Sequence, residues 1–295
     1  MKLVSVITVN YNQPKVTEAL LQSIFEHNAY ANLEIIVVDN GSSQNPVPGW
    51  KQKYKDVQFI RSEENLGFAG GNNWGIEHAQ GEYYFLINND TEITNTLIGG
   101  LVQKLEENPL IGIISPKIRY YDQPDVLQYA GYTSMNYFTC QNKCIGQFEK
   151  DMGQYDHVTG ETGYAHGAAM MIRRGAAEKA GLMSPLFFLY YEELDWCEKI
   201  KRAGYTIWVD MQQLIYHKES ISVGKNSALK EYYMNRNRIL FIRRNAPVVA
   251  SLVFYPYFII AVVPRNIIRY IKEKNFKFIS VLFKAIWWNI TSNRN

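Results

Sequence analysis

The chain has 295 residues, 47% apolar and 20% charged, enough to bury a core of one large or two modest domains and too apolar for a disordered tail. Its net charge of +3 hides a division, because residues 1–217 hold 17 Lys+Arg against 25 Asp+Glu and residues 218–295 hold 14 against 3. A basic tail on an acidic body implies an anionic partner, and because the basic residues interleave with apolar runs, anionic lipid fits and nucleic acid is set aside.

Leu3–Val9, which contains Ser5 and Thr8 and lacks a small-residue cleavage site, reads as a buried strand rather than a signal peptide. Glu34–Asp39, Val57–Arg61, Tyr83–Ile87 and Ile111–Ser115 read as further strands, with helices over Val16–His27 and Thr96–Glu107 between them. This alternation predicts an α/β fold, a mostly parallel sheet covered by helices on both faces. Ligands of such sheets sit at the carboxyl ends of the strands, where loops converge and helix amino termini point their N–H groups. The segments in question are Asn10-Tyr11-Asn12, Asp39-Asn40-Gly41-Ser42-Ser43, Asn65 to Asn72, and Asn88-Asn89-Asp90, almost all polar or Gly.

Residues 120–165, rich in Tyr, Gln, Asn and Gly, predict no regular element and suit an excursion on an acceptor side. A strand over Ala168–Arg173, a helix from Glu193 to Ala203 stopped by Gly204, and strands over Thr206–Val209 and Gln213–Tyr216 follow, and His217 closes the acidic body. Cys140, Cys144 and Cys197 are too few and too scattered for a disulfide framework, so they read as reduced thiols in a cytosol. No period of 20–50 residues recurs.

Several of these residues carry both a chemical and a plain structural reading. Asp39 and Asp90, each after a strand, can approach a nucleotide from its base and phosphate sides, or serve as turn and cap residues. The Asn65–Gly71 loop can touch phosphate or simply make a tight turn. It is not a dinucleotide fingerprint, because the first strand runs into Asn10-Tyr11-Asn12 with no glycine. Glu192, Glu193 and Asp195 place favourable charge at a helix start, but adjacent helical residues point about 100° apart and cannot form a hydrolytic pair. One of them acting as a single base, with a distant metal, suits group transfer from a nucleoside diphosphate. His217 can complete a metal site with Asp90 or be structural.

Four segments, Val4 to Asn12, Val37 to Ser43, Asn65 to Asn73 and Leu86 to Thr91, resemble in order and spacing the inverting family-two glycosyltransferases of GT-A fold. The likeness is greatest to their rhamnosyltransferase-like branch. It continues through Gly167–Arg174, Tyr191–Cys197 and Tyr232-Tyr233-Met234-Asn235-Arg236-Asn237. The resemblance implies that Thr8, Asn10, Tyr11, Asn12 and Asp39 hold the nucleobase and ribose, and that Gly67, Gly70 and Asn72 line the nucleotide site. Asn88, Asn89 and Asp90 stand at the family's acidic triplet, with Asp90 and His217 as ligands of a divalent metal, Mg²⁺ or Mn²⁺, and Glu193 stands at the catalytic base. The triplet has lost two carboxylates and the base, commonly Asp, is Glu. The implied partners are a UDP- or dTDP-sugar donor and a lipid-linked or glycan acceptor of cell-surface polysaccharide synthesis.

Residues 1–217 are thus expected to form the catalytic domain and 218–295 a helical region at the cytoplasmic face of the membrane. Val248–Val263, closed by Pro264-Arg265, would span about 24 Å as a helix, short of the roughly 30 Å hydrocarbon core. Phe276–Ile290, with Trp287-Trp288 beside lysines, suits a helix lying among headgroups. A shallow spanning hairpin and a protein-facing helical pair are the alternatives. For function, a sugar nucleotidyltransferase would require a basic Gly-rich triphosphate loop near the first strand, which the sequence lacks. A non-catalytic membrane scaffold that binds nucleotide-sugars has no need of both Asp90 and Glu193.

Overall fold

The structure, a computed structural model, describes residues 1–218 and 227–292. Strand β1 (Val4–Asn10) leads into helix α1 (Pro14–His27), which starts on a proline whose missing N–H has no helical partner to lose. There follow β2 (Leu33–Asn40), α2 (Val47–Lys53), β3 (Val57–Ser62), α3 (Gly67–Glu77), β4 (Tyr83–Ile87), β5 (Thr91–Ile93), α4 (Leu97–Glu107) and β6 (Ile111–Tyr120). The excursion contributes only β7 (Leu127–Tyr129) and β8 (Thr159–Glu161), and then come β9 (Ala169–Arg173), α5 (Arg174–Ala180), α6 (Glu192–Arg202) and β10 (Thr206–His217). The chain continues through α7 (Ala228–Asn245), α8 (Val248–Tyr257), a π-turn (Phe258–Val262), α9 (Val263–Lys272) and α10 (Lys277–Thr291).

The main sheet runs β3-β2-β1-β4-β9-β6-β10-β5. It is mixed rather than mostly parallel. The β3-β2-β1-β4 half is parallel, and so is the β6–β10 pair. Between β4 and β6 lies β9, antiparallel to both, and β5 is antiparallel on β10. The cause is the excursion, which returns the chain to the sheet without a crossover helix, so β9 enters from the opposite end. The two short strands expected after α6 are one, interrupted by a register shift between Asp210 and Leu214, a bulge in which Asp210 accepts hydrogen bonds from Thr159 Oγ1 and the Gln212 amide. In place of periodicity the excursion has buried ion pairs, such as Lys117 with Asp151 at 2.9 Å.

Alternation along the strands fills a core on each sheet face. Val4 and Val6, Ile35 and Val37 pack with α1, α2 and α4 through Leu20, Leu21, Trp50, Leu97 and Leu101. Ile7, Ile36 and Val38 pack on the other face with Ala69, Ile76, Trp196 and Ile200. That second core also takes Ile239, Leu240, Phe241 and Ile242 of α7. Of the basic region expected from 218 to 295, α7 is thus built into the body, and α8 and the π-turn join the same core through Phe254, Phe258 and Val262. Residues 219–226 and 293–295 of that region lie outside the described residues.

The expected helix end at Pro264-Arg265 does not occur. Helix continues from Val248 to Lys272, 25 residues, long and apolar enough to cross a membrane by length and composition. The π-turn and the position of Pro264 in the first turn of α9 accommodate the missing N–H that should have stopped it. Ala250, Phe254, Phe258, Val262, Asn266 and Tyr270 form a buried stripe at every fourth residue. On a straight α-helix such a set would drift about 40° per step, and the slower winding of the π-turn offsets part of this. The opposite side presents Val248, Val249, Leu252, Val253, Ile259 and Ile260 to the outside.

Candidate active site

A cleft of about 470 Å³ opens at the carboxyl ends of the parallel strands. Tyr11, Asn40, Asn65, Gly67, Phe68 and Asn72 line one side, and Asn88, Asn89 and Asp90 line its floor. Gln128, Tyr132, His166, Phe188, Leu189, Tyr190, His217 and Lys230 close the rest. Of the residues expected from sequence, Thr8, Asn10, Asn12, Asp39, Gly70 and Glu193 are not part of this lining.

Asp39 and Asn10 are fully buried and face one another across the parallel β1–β2 register. Asn10 Nδ2 donates to Asp39 Oδ1 at 2.7 Å, and the guanidinium of Arg61 on β3 pairs with Oδ2. Arg61 Nη2 also donates to the Ser42 carbonyl at 2.8 Å. With both oxygens engaged, Asp39 braces the loop that carries Asn40 rather than facing the cleft. Asn10 Oδ1 accepts from Thr17, whose hydroxyl accepts in turn from Asn89 Nδ2 at 3.0 Å, so the amide of Asn89 is tied back toward α1. Asn12, at φ 56°, accepts from the Ser43 amide at 2.8 Å and pins the second loop to the first.

The glycine loop makes a close-packed corner. Asn40 Nδ2 donates to the Gly67 carbonyl at 3.0 Å, and Asn40 Oδ1 accepts from the Leu66 amide at 3.0 Å. A side chain at Gly71 would meet Val9 at 3.0 Å, and one at Gly70 would meet Leu66 at 2.7 Å. Gly67 has φ +72° and a Cβ there would sit 2.3 Å from the Phe188 carbonyl. Gly70 is thus structural, whereas Gly67 and Asn72 reach the cleft.

Asp90 and His217 come together at the cleft floor, 6% exposed each, because the antiparallel β5–β10 pair sets Thr91 opposite His217. Asp90 Oδ1 lies 3.2 Å from His217 Nε2. His217 Nδ1 is 2.8 Å from Gln128 Oε1; in the tautomer that donates to that oxygen, Nε2 is left free to bind a metal. Asp90 Oδ1 is buried without a hydrogen-bond donor. Two acceptors facing one another suit a cation between them, with Gln128 as the outer partner that fixes the ring. Among the described residues no third His, Cys, Asp or Glu joins them, which leaves coordination positions for ligand oxygens and water, the pattern of hard divalent metals.

The three acids of α6 separate by environment. Asp195 is fully buried and accepts from Asn245 Nδ2 at 2.8 Å and Arg244 Nε at 3.2 Å, an α6–α7 tie with no access to the cleft. Glu192 is buried with Oε2 unpartnered, and burial followed by repulsion from Glu193 pushes its carboxyl well above the usual range. Glu193 lies beside Gly167, its Cδ 3.9 Å from where a Cβ on that glycine would lie, a point that is 3.8 Å from Phe68 of the cleft lining. Burial raises it to about 7, against the lowering pull of its own and the Leu194 backbone amides. A carboxyl poised near neutrality at a helix start is suited to take a proton.

Sequence reasoning missed Gln128, Tyr132 and His166. His166 stacks on Tyr132 with rings 6.1 Å apart, accepts from the Ala168 amide through Nδ1 at 3.1 Å, and is held neutral by burial, which lowers it to about 3. Its place beside the Gly167–Arg174 motif was the available signal. For Gln128 and Tyr132, in a stretch without periodicity, there was none.

Comparison with known proteins agrees with this geometry. The sequence profile of Glycosyl transferase family 2 matches residues 5–181. Over 290 residues the chain is 26% identical to the low-salt glycan biosynthesis hexosyltransferase Agl10 of Haloferax volcanii, covering 96% of this chain and 89% of that protein. It is 20% identical over 217 residues to the N-acetylglucosaminyl-diphospho-decaprenol L-rhamnosyltransferase of Mycobacterium tuberculosis, covering 66% and 70%. Among solved structures, the mannosyltransferase PcManGT from Pyrobaculum calidifontis in complex with GDP-Man and Mn²⁺ has a TM-score of 0.60 at 15% identity, covering 99% and 88%. A profile match over more than half of the chain, on a sheet of this order, places it in glycosyl transferase family 2, as a glycosyltransferase of GT-A fold.

Proposed function

We propose that the protein transfers, with inversion, a hexosyl or deoxyhexosyl group, rhamnose included, from a UDP- or dTDP-sugar to a lipid-linked or glycan acceptor at the cytoplasmic face of a membrane. The observation that carries this reading is the buried Asp90–His217 pair in the cleft floor, with Asp90 Oδ1 lacking a hydrogen-bond donor. Those two side chains would hold a divalent metal, which supplies charge neutralisation to a departing diphosphate. Tyr11 and Asn65 offer an aromatic face and an amide to the nucleoside, and Phe68 and Phe188 restrict water. Glu193 takes the proton of the acceptor hydroxyl as that oxygen's electron pair bonds to the anomeric carbon, and the bond from this carbon to the diphosphate breaks with its pair on the departing oxygen. A raised carboxyl suits that step. The decaprenol in the mycobacterial relative's name and the outward apolar face of α8 favour a lipid-borne acceptor, and the same face supports peripheral or monotopic attachment.

A thermal-shift screen of UDP, dTDP and GDP, each with and without Mn²⁺ or Mg²⁺, tests the reading. Stabilisation by one nucleotide that requires metal is expected. Equal stabilisation without metal, or none by any of the three, would overturn it.

A further inference from the structure

The Tyr232–Asn237 motif has no task in the chemistry above, yet its last two residues reach the segment that delivers Glu193. That segment, residues 186–191, follows a course few side chains tolerate, with φ of 63° at Phe188, 68° at Tyr190 and 73° at Tyr191. Three non-glycine residues in the left-handed region within four positions persist only where the surroundings hold them. The holding group is Asn237 on α7, fully buried. Its Nδ2 lies 2.8 Å from the Phe187 carbonyl, 2.8 Å from that of Leu189 and 2.7 Å from that of Tyr190. Its Oδ1 accepts from Arg236 Nε at 2.8 Å, and Arg236 Nη2 donates to the carbonyls of Phe187, at 2.7 Å, and Leu186. On the opposite side the Phe68 amide donates to the Phe188 carbonyl at 2.7 Å. The segment ends at Tyr191, the residue before α6, and Glu192 and Glu193 are the first two of that helix.

We propose that Asn237 and Arg236 are positioning residues, which clamp the carbonyls of 186–190 so that α6 starts where Glu193 meets the acceptor end of the cleft. The inference rests on Glu193 being the base. An asparagine retained only for helix packing would satisfy itself on its own helix or be replaceable by an apolar residue, whereas this one spends its donor on three carbonyls of another element. The clamp is also braced from the tail. The Trp288 ring lies 4.4 Å from the Arg236 guanidinium, and Asn289 Nδ2 donates to the Arg236 carbonyl at 2.9 Å.

The test is Asn237→Asp in the full-length protein, which keeps size and shape but turns an oxygen toward the three carbonyls. Amides of 186–191 should exchange hydrogen at least about tenfold faster, a readout independent of substrate. With the donor and acceptor that support wild-type turnover, kcat should fall by about 10- to 100-fold with donor affinity within about twofold. Arg236→Lys, which keeps the charge but loses the fork, should do the same in lesser degree and decides the matter if Asn237→Asp does not fold. The kcat–pH profile is read in Arg236→Lys, because the carboxylate that Asn237→Asp adds would itself raise Glu193; in Arg236→Lys the acidic limb should move down as water reaches Glu193, whose ionisable neighbours are Glu192, Tyr132, Tyr191 and Cys197. Wild-type kcat and pH profile in a folded variant would overturn the proposal, as would equal loss of donor binding and kcat with an unmoved limb. Glu193→Gln is run beside them. Activity in that variant sinks the base assignment itself, whereas an inactive Glu193→Gln with a wild-type Asn237→Asp sinks only the clamp.

Discussion

Asp90 Oδ1 and His217 Nε2 face one another across a gap of 3.2 Å, with the other ring nitrogen 2.8 Å from Gln128 Oε1 and no hydrogen-bond donor on Asp90 Oδ1. In Asp90→Asn the amide can donate to the imidazole and close it. Metal-dependent stabilisation by the nucleoside diphosphate should then vanish, a loss of about 2.7 kcal/mol at a nucleotide concentration 100 times its Kd. Thermal melts with and without Mn²⁺ measure it. Nucleotide binding in Asp90→Asn equal to wild type with metal, or full activity after thorough chelation, would show that the pair holds no cation.

Glu193→Gln should lower turnover by about 100-fold or more while leaving donor affinity nearly intact. The pH dependence has a definite sign. Glu193 is raised from 4.5 to about 7 in the folded chain, so the folded state binds its proton more tightly than the unfolded state. Its contribution to stability is complete below about 4.5 and is lost as pH rises through about 7. Melting temperature should decline less over that window in Glu193→Gln than in wild type. The catalytic profile has the opposite slope, because turnover rises toward pH 7 as the base ionises. A larger loss of turnover in Glu192→Gln would move the base by one residue.

Much of the body was legible in the sequence because β1, β2 and β4 are largely apolar runs ending in polar loops, and Tyr83–Ile87 was bounded to the residue. The site was legible only in part. An aspartate after a strand looks the same whether it faces ligand or is closed off, and for Asp39 the deciding partner, Arg61, lies on a neighbouring strand. The direction of β9 and the place of Gln128 both depend on the 120–165 excursion, which is tied by long-range ion pairs that leave no periodic trace. Pro264 read as a helix end because a proline stop is the general rule, and only the π-turn before it removes the conflict.

Gly67→Ala should be the most damaging of the loop's glycine substitutions. It forces an L residue into φ +72° and sets a methyl carbon 2.3 Å from the Phe188 carbonyl, so the contact between the two sides of the cleft must open. A cost of about 2 kcal/mol or more is expected from strain and clash together, measured by denaturant unfolding. In Gly49→Ala nothing lies within 4 Å of the new carbon, and that variant should unfold as wild type does or slightly later. Equal stability of Gly67→Ala and wild type would mean that this corner is not fixed by the close approach.

Attachment to a membrane is the remaining prediction, and the structure suggests a sharper test than cutting the chain after Asn245. Phe254, Phe258 and Val262 belong to the same core as Leu240 and Phe241, so truncation there would bare apolar surface of the body and confuse loss of the tail with damage to the fold. The outward side can be altered alone. Leu252 is 68% exposed and Ile260 74%, and Arg265, Lys272, Lys274, Lys277 and Lys284 are exposed along the same tail. A helix with one side against its own protein along its length lies more naturally along a bilayer surface than through it, with apolar burial supplying the anchor. Each basic residue near an anionic leaflet adds about 1 kcal/mol that salt screens. Full-length protein should therefore float with anionic liposomes at low salt and less at high salt. Leu252→Glu with Ile260→Glu should remain at the bottom while binding donor as wild type does. If wild type fails to float at low salt, or the double variant floats equally well, the outward side of α8 meets another protein surface and not lipid.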